Sequence, residues 1–155
     1  MKTTEITGLK NVQNVTGGLQ QLLADLQVYY TNLRGFHWNI KGKDFYLLHE
    51  KFEEMYNDVA AKVDEVAERL LMLGETPIHT FSEYLKSAKV KETGVVSGAD
   101  EAVKNILDTY KHLIASERAL IASASEIDDE ATVALLSDYV SGQEKEVWML
   151  TSFLS

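Results

Sequence analysis

The chain has 155 residues, of which 45% are hydrophobic, and 24 aspartates and glutamates outnumber 15 lysines and arginines. This length and hydrophobic content suit one folded domain, which we predict over residues 1–155. The net charge of −9 disfavours binding to nucleic acid phosphates and favours attraction of cations. Cysteine is absent, which excludes a disulfide framework and thiolate metal ligands.

The first ten residues are mostly polar, and their only cations are Lys2 and Lys10. We expect a short flexible tail over residues 1–10. This segment lacks the apolar core of a secretory signal, and no other stretch is apolar over the length that crosses a membrane. The sequence therefore predicts a cytoplasmic protein with no membrane partner.

Two long helices are predicted in the first half of the chain, over residues 11–39 and 44–73, because apolar residues recur every three or four positions. Gly17 and Gly18 weaken the first turns of the first helix. A turn that contains Gly42 joins the two helices, and Gly74 is a plausible cap for the second. The expected core positions are Val12, Val15, Leu19, Leu22, Leu26, Tyr29 or Tyr30, Leu33, Leu48, Phe52, Met55, Val59, Val63, Val66, Leu70 and Leu73.

A long connection over residues 74–98 follows, with the only proline, Pro77, and a short helix predicted over residues 80–86. Ser97 is the predicted N-cap of a third long helix over residues 99–125. A fourth begins at residues 128–130, where acidic side chains favour the positive end of the helix dipole. Four long helices with mostly short loops predict an all-α four-helix bundle, in which the connection carries the short helix along the bundle.

The second long helix carries two pairs of candidate metal ligands. His49 and Glu53 are four residues apart, as are Asp64 and Glu68, so each pair lies on one helix face. The pairs are separated by 15 residues, which is roughly 22 Å along a helix. Metal–ligand bonds are only about 2.0–2.6 Å long, so one metal ion cannot contact both pairs of the same chain.

A symmetric dimer solves this problem. If two copies of the second helix lie antiparallel about a two-fold axis near Asp58, His49 and Glu53 of one chain face Asp64 and Glu68 of the other. The symmetry then produces two equivalent sites. No Glu-x-x-His sequence occurs in the four long helices, which argues against a di-iron site inside one bundle.

A longer series of residues around these pairs resembles the Dps mini-ferritins, the DNA-binding proteins from starved cells. Its members are His37-Trp38, Gly42, Phe45, Leu47 or Leu48, His49-Glu50, Phe52-Glu53, Asp64 through Arg69, and Leu73-Gly74. The resemblance covers most of the chain. It implies a ferritin-like four-helix bundle with a short extra helix between the second and third helices, assembled into a hollow homododecamer with tetrahedral symmetry.

The resemblance also implies a function. Ferrous iron would bind at sites shared between two subunits, be oxidised, preferably by hydrogen peroxide, and be stored as a ferric mineral, protecting DNA from oxidative damage. The implied metal-binding and catalytic residues are His37, His49, Glu53, Asp64 and Glu68, with zinc and manganese as competitors of iron. Position 53 is Asp in common members of the family, so the Glu here is one methylene longer. The tail lacks the lysines through which some members bind DNA, and we predict no tight DNA binding.

Four acids, Glu126, Asp128, Asp129 and Glu130, lie within five residues at the predicted start of the fourth helix. In related shells this turn lines a channel at the three-fold axes. The resemblance therefore predicts a pore for iron at Glu126, Asp129 and Glu130. Alternatively, these acids only cap the helix.

Other readings of the sequence remain open. The candidate ligands also suit a solvated helix face. A second hypothesis for the function is a structural or signalling shell without redox activity, in which metal only stabilises the dimer. A nucleoid-compacting protein is a weaker alternative. His79 and His112 fall outside the ligand pattern, as surface or structural residues. Four aromatic side chains near the ligands either accept oxidising equivalents from iron or pack in the core: Trp38, Tyr29, Tyr30 and Tyr56. Arg34 either pairs with a carboxylate of the site or is solvated at the surface.

Overall fold

The computed structural model describes residues 1–155 and contains six α-helices and no strand. Four helices are long and two are short, and one short helix lies in the connection between the second and third long helices. This architecture confirms the predicted all-α fold. The helices are α1 (Thr3–Thr7), α2 (Gln13–Asn39), α3 (Phe45–Met72), α4 (Phe81–Ser87), α5 (Ala99–Glu126) and α6 (Glu130–Phe153).

The N-terminal tail contains α1, which the sequence analysis did not predict. The backbone N–H of Lys2 donates to the Glu5 carboxylate at 2.9 Å, which caps the start of this helix. Gly8, with a φ of 78°, ends it. Thr4 lies beside Gly74, so the tail packs near the end of α3.

The core lies between the four long helices, and α2 contributes most of it because it packs on α3, α4 and α5. The expected core positions of α2 and α3 are buried, apart from Tyr30 and Val63, which are partly buried. In α5 and α6 the buried apolar side chains are Ala102, Val103, Ile106, Tyr110, Leu113, Leu120, Ala124, Leu136, Tyr139 and Leu150.

Gly18 of α2 lies against Leu120 of α5. A Cβ atom at this position would overlap the side chain of Leu120, which is 6% exposed. At Gly17 an added Cβ would meet nothing within 4 Å. The two adjacent glycines therefore differ: Gly18 leaves room for the Leu120 side chain, whereas Gly17 only lowers helix propensity.

The start of α5 differs from the prediction. The N-cap is Gly98 and not Ser97, and no side chain caps this helix. The carbonyl of Ser97 instead accepts a hydrogen bond from the backbone N–H of Lys41 at 3.0 Å. Ser97 therefore joins the end of the connection to the turn between α2 and α3, and its side chain does not cap α5.

The long connection is tied to α2 by four polar side chains, which we call the α2 ladder: Gln20, Gln21, Asp25 and Asn32. Asp25 is fully buried and accepts hydrogen bonds from the backbone N–H groups of Lys89 at 2.7 Å and Val90 at 2.9 Å. The other three members bond the backbone of Thr76, Ile78, Ser87, Lys91 and Thr93. The ladder satisfies backbone groups that the connection leaves without helical partners.

None of the six helices combines the length and the apolar character that a membrane span requires.

Candidate metal centre

The turn between α2 and α3 brings His37 and His49 together. His37 lies in the last turn of α2, and His49 lies in the first turns of α3. Gly42, with a φ of 105°, allows the chain to reverse between them. The two imidazole rings are stacked, with centroids 3.8 Å apart and planes at 13°.

Reciprocal hydrogen bonds fix both rings. Nδ1 of His37 donates to the backbone carbonyl of His49 at 2.6 Å, and Nδ1 of His49 donates to the carbonyl of His37 at 2.7 Å. A carbonyl can only accept, so each neutral ring carries its proton on Nδ1 and its free lone pair on Nε2. Metal-binding histidines in proteins are usually held in this way by a partner on the second nitrogen.

Aromatic and basic side chains surround the histidine pair. Tyr56 lies edge-on to His37, at 5.4 Å between centroids, and also contacts Tyr30. The Arg34 guanidinium lies 5.0 Å from the centroids of both Tyr30 and Trp38. Trp38 is 65% exposed, so it does not pack in the core of this subunit. Arg34 makes cation–π contacts and no carboxylate pair within the chain.

The three candidate carboxylates, Glu53, Asp64 and Glu68, are all exposed on α3. Nowhere in the chain do three or more His, Asp or Glu side chains come close enough together to hold one metal ion. The fold thus brings together two of the five predicted ligands, His37 and His49. The carboxylates of Asp64 and Glu68 remain about 22 Å along the helix from His49 and Glu53.

The acidic turn between α5 and α6 divides into two groups. Asp129 is 1% exposed, and its Oδ1 accepts hydrogen bonds from Arg69 Nη2 at 2.6 Å and from the backbone N–H of Thr132 at 3.1 Å. Its carboxylate therefore caps α6 and anchors it to α3. Glu126, Asp128 and Glu130 are exposed. Of the acids in the predicted pore, only Glu126 and Glu130 have carboxylates open to solvent.

The remaining histidines do not join the centre. His112 Nε2 lies 2.8 Å from the Asp25 carboxylate, so it supports the buried end of the α2 ladder. His79 is exposed in the connection. What the sequence analysis missed is the role of backbone carbonyls in fixing the histidine rings. The spacing of side chains carries no signal for it.

Comparison with known proteins identifies the family. The family model for the ferritin-like domain matches residues 17–155 of the sequence. The DNA protection during starvation protein of Porphyromonas gingivalis is 54% identical over 154 residues, which cover 98% of this chain and 97% of that protein. The chain belongs to the Dps family. A Dps family protein of Bacillus anthracis, named DNA protection during starvation protein 2, is 38% identical over 88% of this chain and 94% of its own.

Solved Dps structures have the same fold. The Dps protein from Vibrio cholerae O1 superposes with a TM-score of 0.91 at 45% sequence identity, covering 92% of this chain and 90% of its own. It is described as a member of a broad superfamily of ferritin-like diiron-carboxylate proteins. Dps from Bacillus brevis has a TM-score of 0.90 at 38% identity, with 92% and 96% covered. The ferritin-like assignment from the sequence is confirmed.

Proposed function

We propose that this Dps-family protein binds ferrous iron, oxidises it and stores the ferric product, and so limits oxidative damage to DNA. The observation that carries the proposal is the stacked pair of His37 and His49, in which each ring presents a free Nε2 lone pair. The same helix exposes Glu53, Asp64 and Glu68. Imidazole nitrogens with carboxylate oxygens form a donor set that suits iron, and also zinc or manganese.

The site we propose is shared between two subunits. One chain holds His37, His49 and Glu53, and the antiparallel α3 of a second chain supplies Asp64 and Glu68. The separation of the two pairs along α3 supports this arrangement, because it prevents one chain from completing a site. A two-fold axis near the middle of α3 repeats every contact and makes two sites for each dimer.

The ligands favour oxidation for a chemical reason. Carboxylates are hard anionic donors that stabilise ferric more than ferrous iron, while neutral imidazoles hold ferrous iron. We propose hydrogen peroxide as the preferred oxidant. One peroxide takes one electron from each of two ferrous ions and two protons from solvent; its O–O bond breaks and two waters form. No hydroxyl radical is released when both electrons arrive at one site.

Storage requires a closed compartment, and we propose a hollow homododecamer with tetrahedral symmetry. Glu126 and Glu130 would line its three-fold pores, because their carboxylates are exposed at the turn between α5 and α6. A ring of such acids raises the local concentration of cations. DNA protection would then follow from removal of iron and peroxide and not from DNA binding, since the net charge is −9.

The direct test adds ferrous iron and hydrogen peroxide, without oxygen, to the purified assembly. We expect ferric absorbance to rise much faster than in buffer, two ferrous ions to be consumed for each peroxide, and the particle size to match a dodecamer. The double variant His37→Ala and His49→Ala should assemble and lose this rate, while His79→Ala should keep it. A parent protein that assembles but oxidises iron no faster than buffer is a structural shell.

A further inference from the structure

The histidine pair is the middle of a stack of four aromatic rings. The Phe45 ring stacks on His49, with centroids 5.0 Å apart and planes at 19°. His49 stacks on His37 at 3.8 Å and 13°. The Tyr56 ring lies edge-on to His37, at 5.4 Å and 78°. Each imidazole therefore contacts one further aromatic ring in addition to the other imidazole.

Three of these rings come from one helix. Phe45, His49 and Tyr56 are separated by four and seven residues on α3, which places them on the same face of the helix. His37 enters between His49 and Tyr56 from the end of α2. The stack thus spans the joint between two helices, and α3 alone sets the spacing of its two ends.

The stack restricts the motions that would spoil a metal site. An imidazole that turns about its ring bond exchanges nitrogen for carbon at the metal-binding position. A ring with close neighbours on both sides can turn only by displacing them. The hydrogen bonds to the backbone carbonyls select the tautomer with Nδ1–H, but the net contribution of one hydrogen bond is modest, so the neighbouring rings add to the restraint. Aromatic pairs in stacked or edge-on contact stabilise each other beyond the burial of their surface.

We propose that Phe45 and Tyr56 are positioning residues that clamp His37 and His49 in the tautomer with Nε2 free before any metal binds. This proposal rests on the proposed function, because a fixed tautomer is useful only if the histidines bind metal. The clamp itself is a property of the metal-free protein. It assigns a role to Phe45, whose side chain carries no metal-binding atom of its own. Loss of a partner that orients a metal-binding histidine typically lowers metal affinity about 10–100-fold.

The test uses the intact assembly with its histidines labelled with ¹⁵N, as a sediment in solid-state NMR without metal. Nitrogen shifts report which ring nitrogen carries the proton, and His37→Ala and His49→Ala assign the signals. The Leu variants Phe45→Leu and Tyr56→Leu remove a ring, whereas Phe45→Tyr and Tyr56→Phe keep it. Tyr46→Leu is the matched control, because Tyr46 is 85% exposed and its ring contacts Phe45 but neither histidine.

We expect the parent, both ring-keeping variants and Tyr46→Leu to show only Nδ1–H for His37 and His49. Each Leu variant should show a mixture of tautomers. Zn²⁺, a redox-inert probe, should bind the Leu variants at least about tenfold more weakly by calorimetry. Leu variants with the parental tautomer and Zn²⁺ affinity would overturn the proposal, and so would a mixture of tautomers in either ring-keeping variant, even where a Leu variant fails to fold.

The two proposals fail in different ways. If the parent shows the fixed tautomer but neither binds Zn²⁺ at these histidines nor oxidises iron, the metal function is wrong and the clamp stands. If the parent oxidises iron with its histidines in mixed tautomers, the clamp is wrong and the function stands.

Discussion

Glu117 and Gln143 form a hydrogen-bonded pair inside the bundle, where Gln143 Nε2 donates to Glu117 Oε1 at 2.8 Å. Glu117 is fully buried, and its second oxygen has no partner. Burial raises the pKa of this carboxyl from 4.5 to about 7, against smaller lowering effects of Gln143 and the Lys62 ammonium. The protein therefore holds an acid in its core that changes charge near neutral pH.

This pair predicts a specific dependence of stability on pH. Between pH 4.5 and about 7 the unfolded chain has lost the Glu117 proton while the folded chain keeps it. The contribution of Glu117 to the free energy of unfolding therefore falls as the pH rises through this range, and it changes no further at higher pH. The whole change is roughly 3 kcal/mol per subunit, from the size of the pKa shift.

Glu117→Gln should remove this dependence and raise the melting temperature at pH 8 but not at pH 4. Thermal unfolding at several pH values measures it, at one fixed protein concentration so that any association of chains contributes equally. Glu144→Gln is the control, because Glu144 is exposed and pairs only with Arg118 at the surface. Equal pH profiles for the parent and Glu117→Gln would contradict the raised pKa.

Mixing of two inactive subunits tests whether the site is shared. His49→Ala and Asp64→Ala should each abolish most oxidation of iron on their own. A dimer of one variant chain with the other keeps one site with all its ligands and loses two ligands at the second. Random pairing of equal amounts therefore restores about a quarter of the sites.

The measurement is the oxidation rate after the two variants are dissociated, mixed and reassembled, with mixing confirmed by mass spectrometry. Each variant carried through the same procedure alone is the control. Confirmed mixed dimers without any recovered activity would contradict the shared site.

DNA binding should be weak at physiological salt and neutral pH. The chain has a net charge of −9, and its tail offers only Lys2 and Lys10 as phosphate contacts. We expect no plasmid shift in a gel at sub-micromolar protein, with chelator present to prevent bridging by metal ions. A shift that survives the chelator would contradict the prediction and favour a nucleoid-associated role.

The exposed acids of the turn between α5 and α6 should speed the access of iron. Glu126→Gln with Glu130→Gln should slow oxidation in stopped-flow experiments, most at low salt, because screening weakens attraction of cations. Glu75→Gln with Glu101→Gln makes the same charge change at exposed positions elsewhere. If both double variants react at the parental rate at low salt, iron reaches the site by another route.

Asp129 should behave differently from its acidic neighbours. Asp129→Asn should lower the melting temperature, because the change weakens both the cap of α6 and the buried pair with Arg69. The binding affinity of the histidine pair for Zn²⁺ should stay close to that of the parent. Calorimetry and thermal unfolding of the same preparation separate these effects, with Asp128→Asn as the neighbouring exposed control.

Two adjacent glycines should respond differently to alanine. Gly17→Ala should stabilise α2 by up to about 1 kcal/mol through helix propensity alone. Gly18→Ala adds the same propensity but overlaps Leu120, and such overpacking typically costs about 1–3 kcal/mol. At a fixed protein concentration, the melting temperature of Gly17→Ala should be higher than that of the parent. The melting temperature of Gly18→Ala should be lower than that of Gly17→Ala.

Much of the fold could be predicted from the sequence, because the apolar period is a local signal. Phe52, Met55 and Val59 lie on the buried face that the spacing indicates. The buried polar residues could not be predicted in this way. Asp25 and Glu117 have partners on other helices, and neither the charge nor the spacing of an acid shows whether such a partner exists.

The sequence predicted which side chains belong to the candidate site, but not how they are held in place. The spacing on α3 placed each ligand pair on one face, and the resemblance added His37 to the ligand set. The stacking of His37 on His49 depends on the angle at which two helices meet. Their hydrogen bonds use backbone carbonyls, which every residue has and no pattern distinguishes.

The α2 ladder makes the long connection depend on one helix. The backbone N–H groups of Ile78, Lys89, Val90 and Thr93 all donate to its side chains, and none belongs to a helix. These amides are protected from hydrogen exchange only while α2 keeps its place in the bundle. They should therefore exchange with deuterium as one cooperative unit with α2, at the slow rate of a core element, although the segment has the length and irregular backbone of a surface loop.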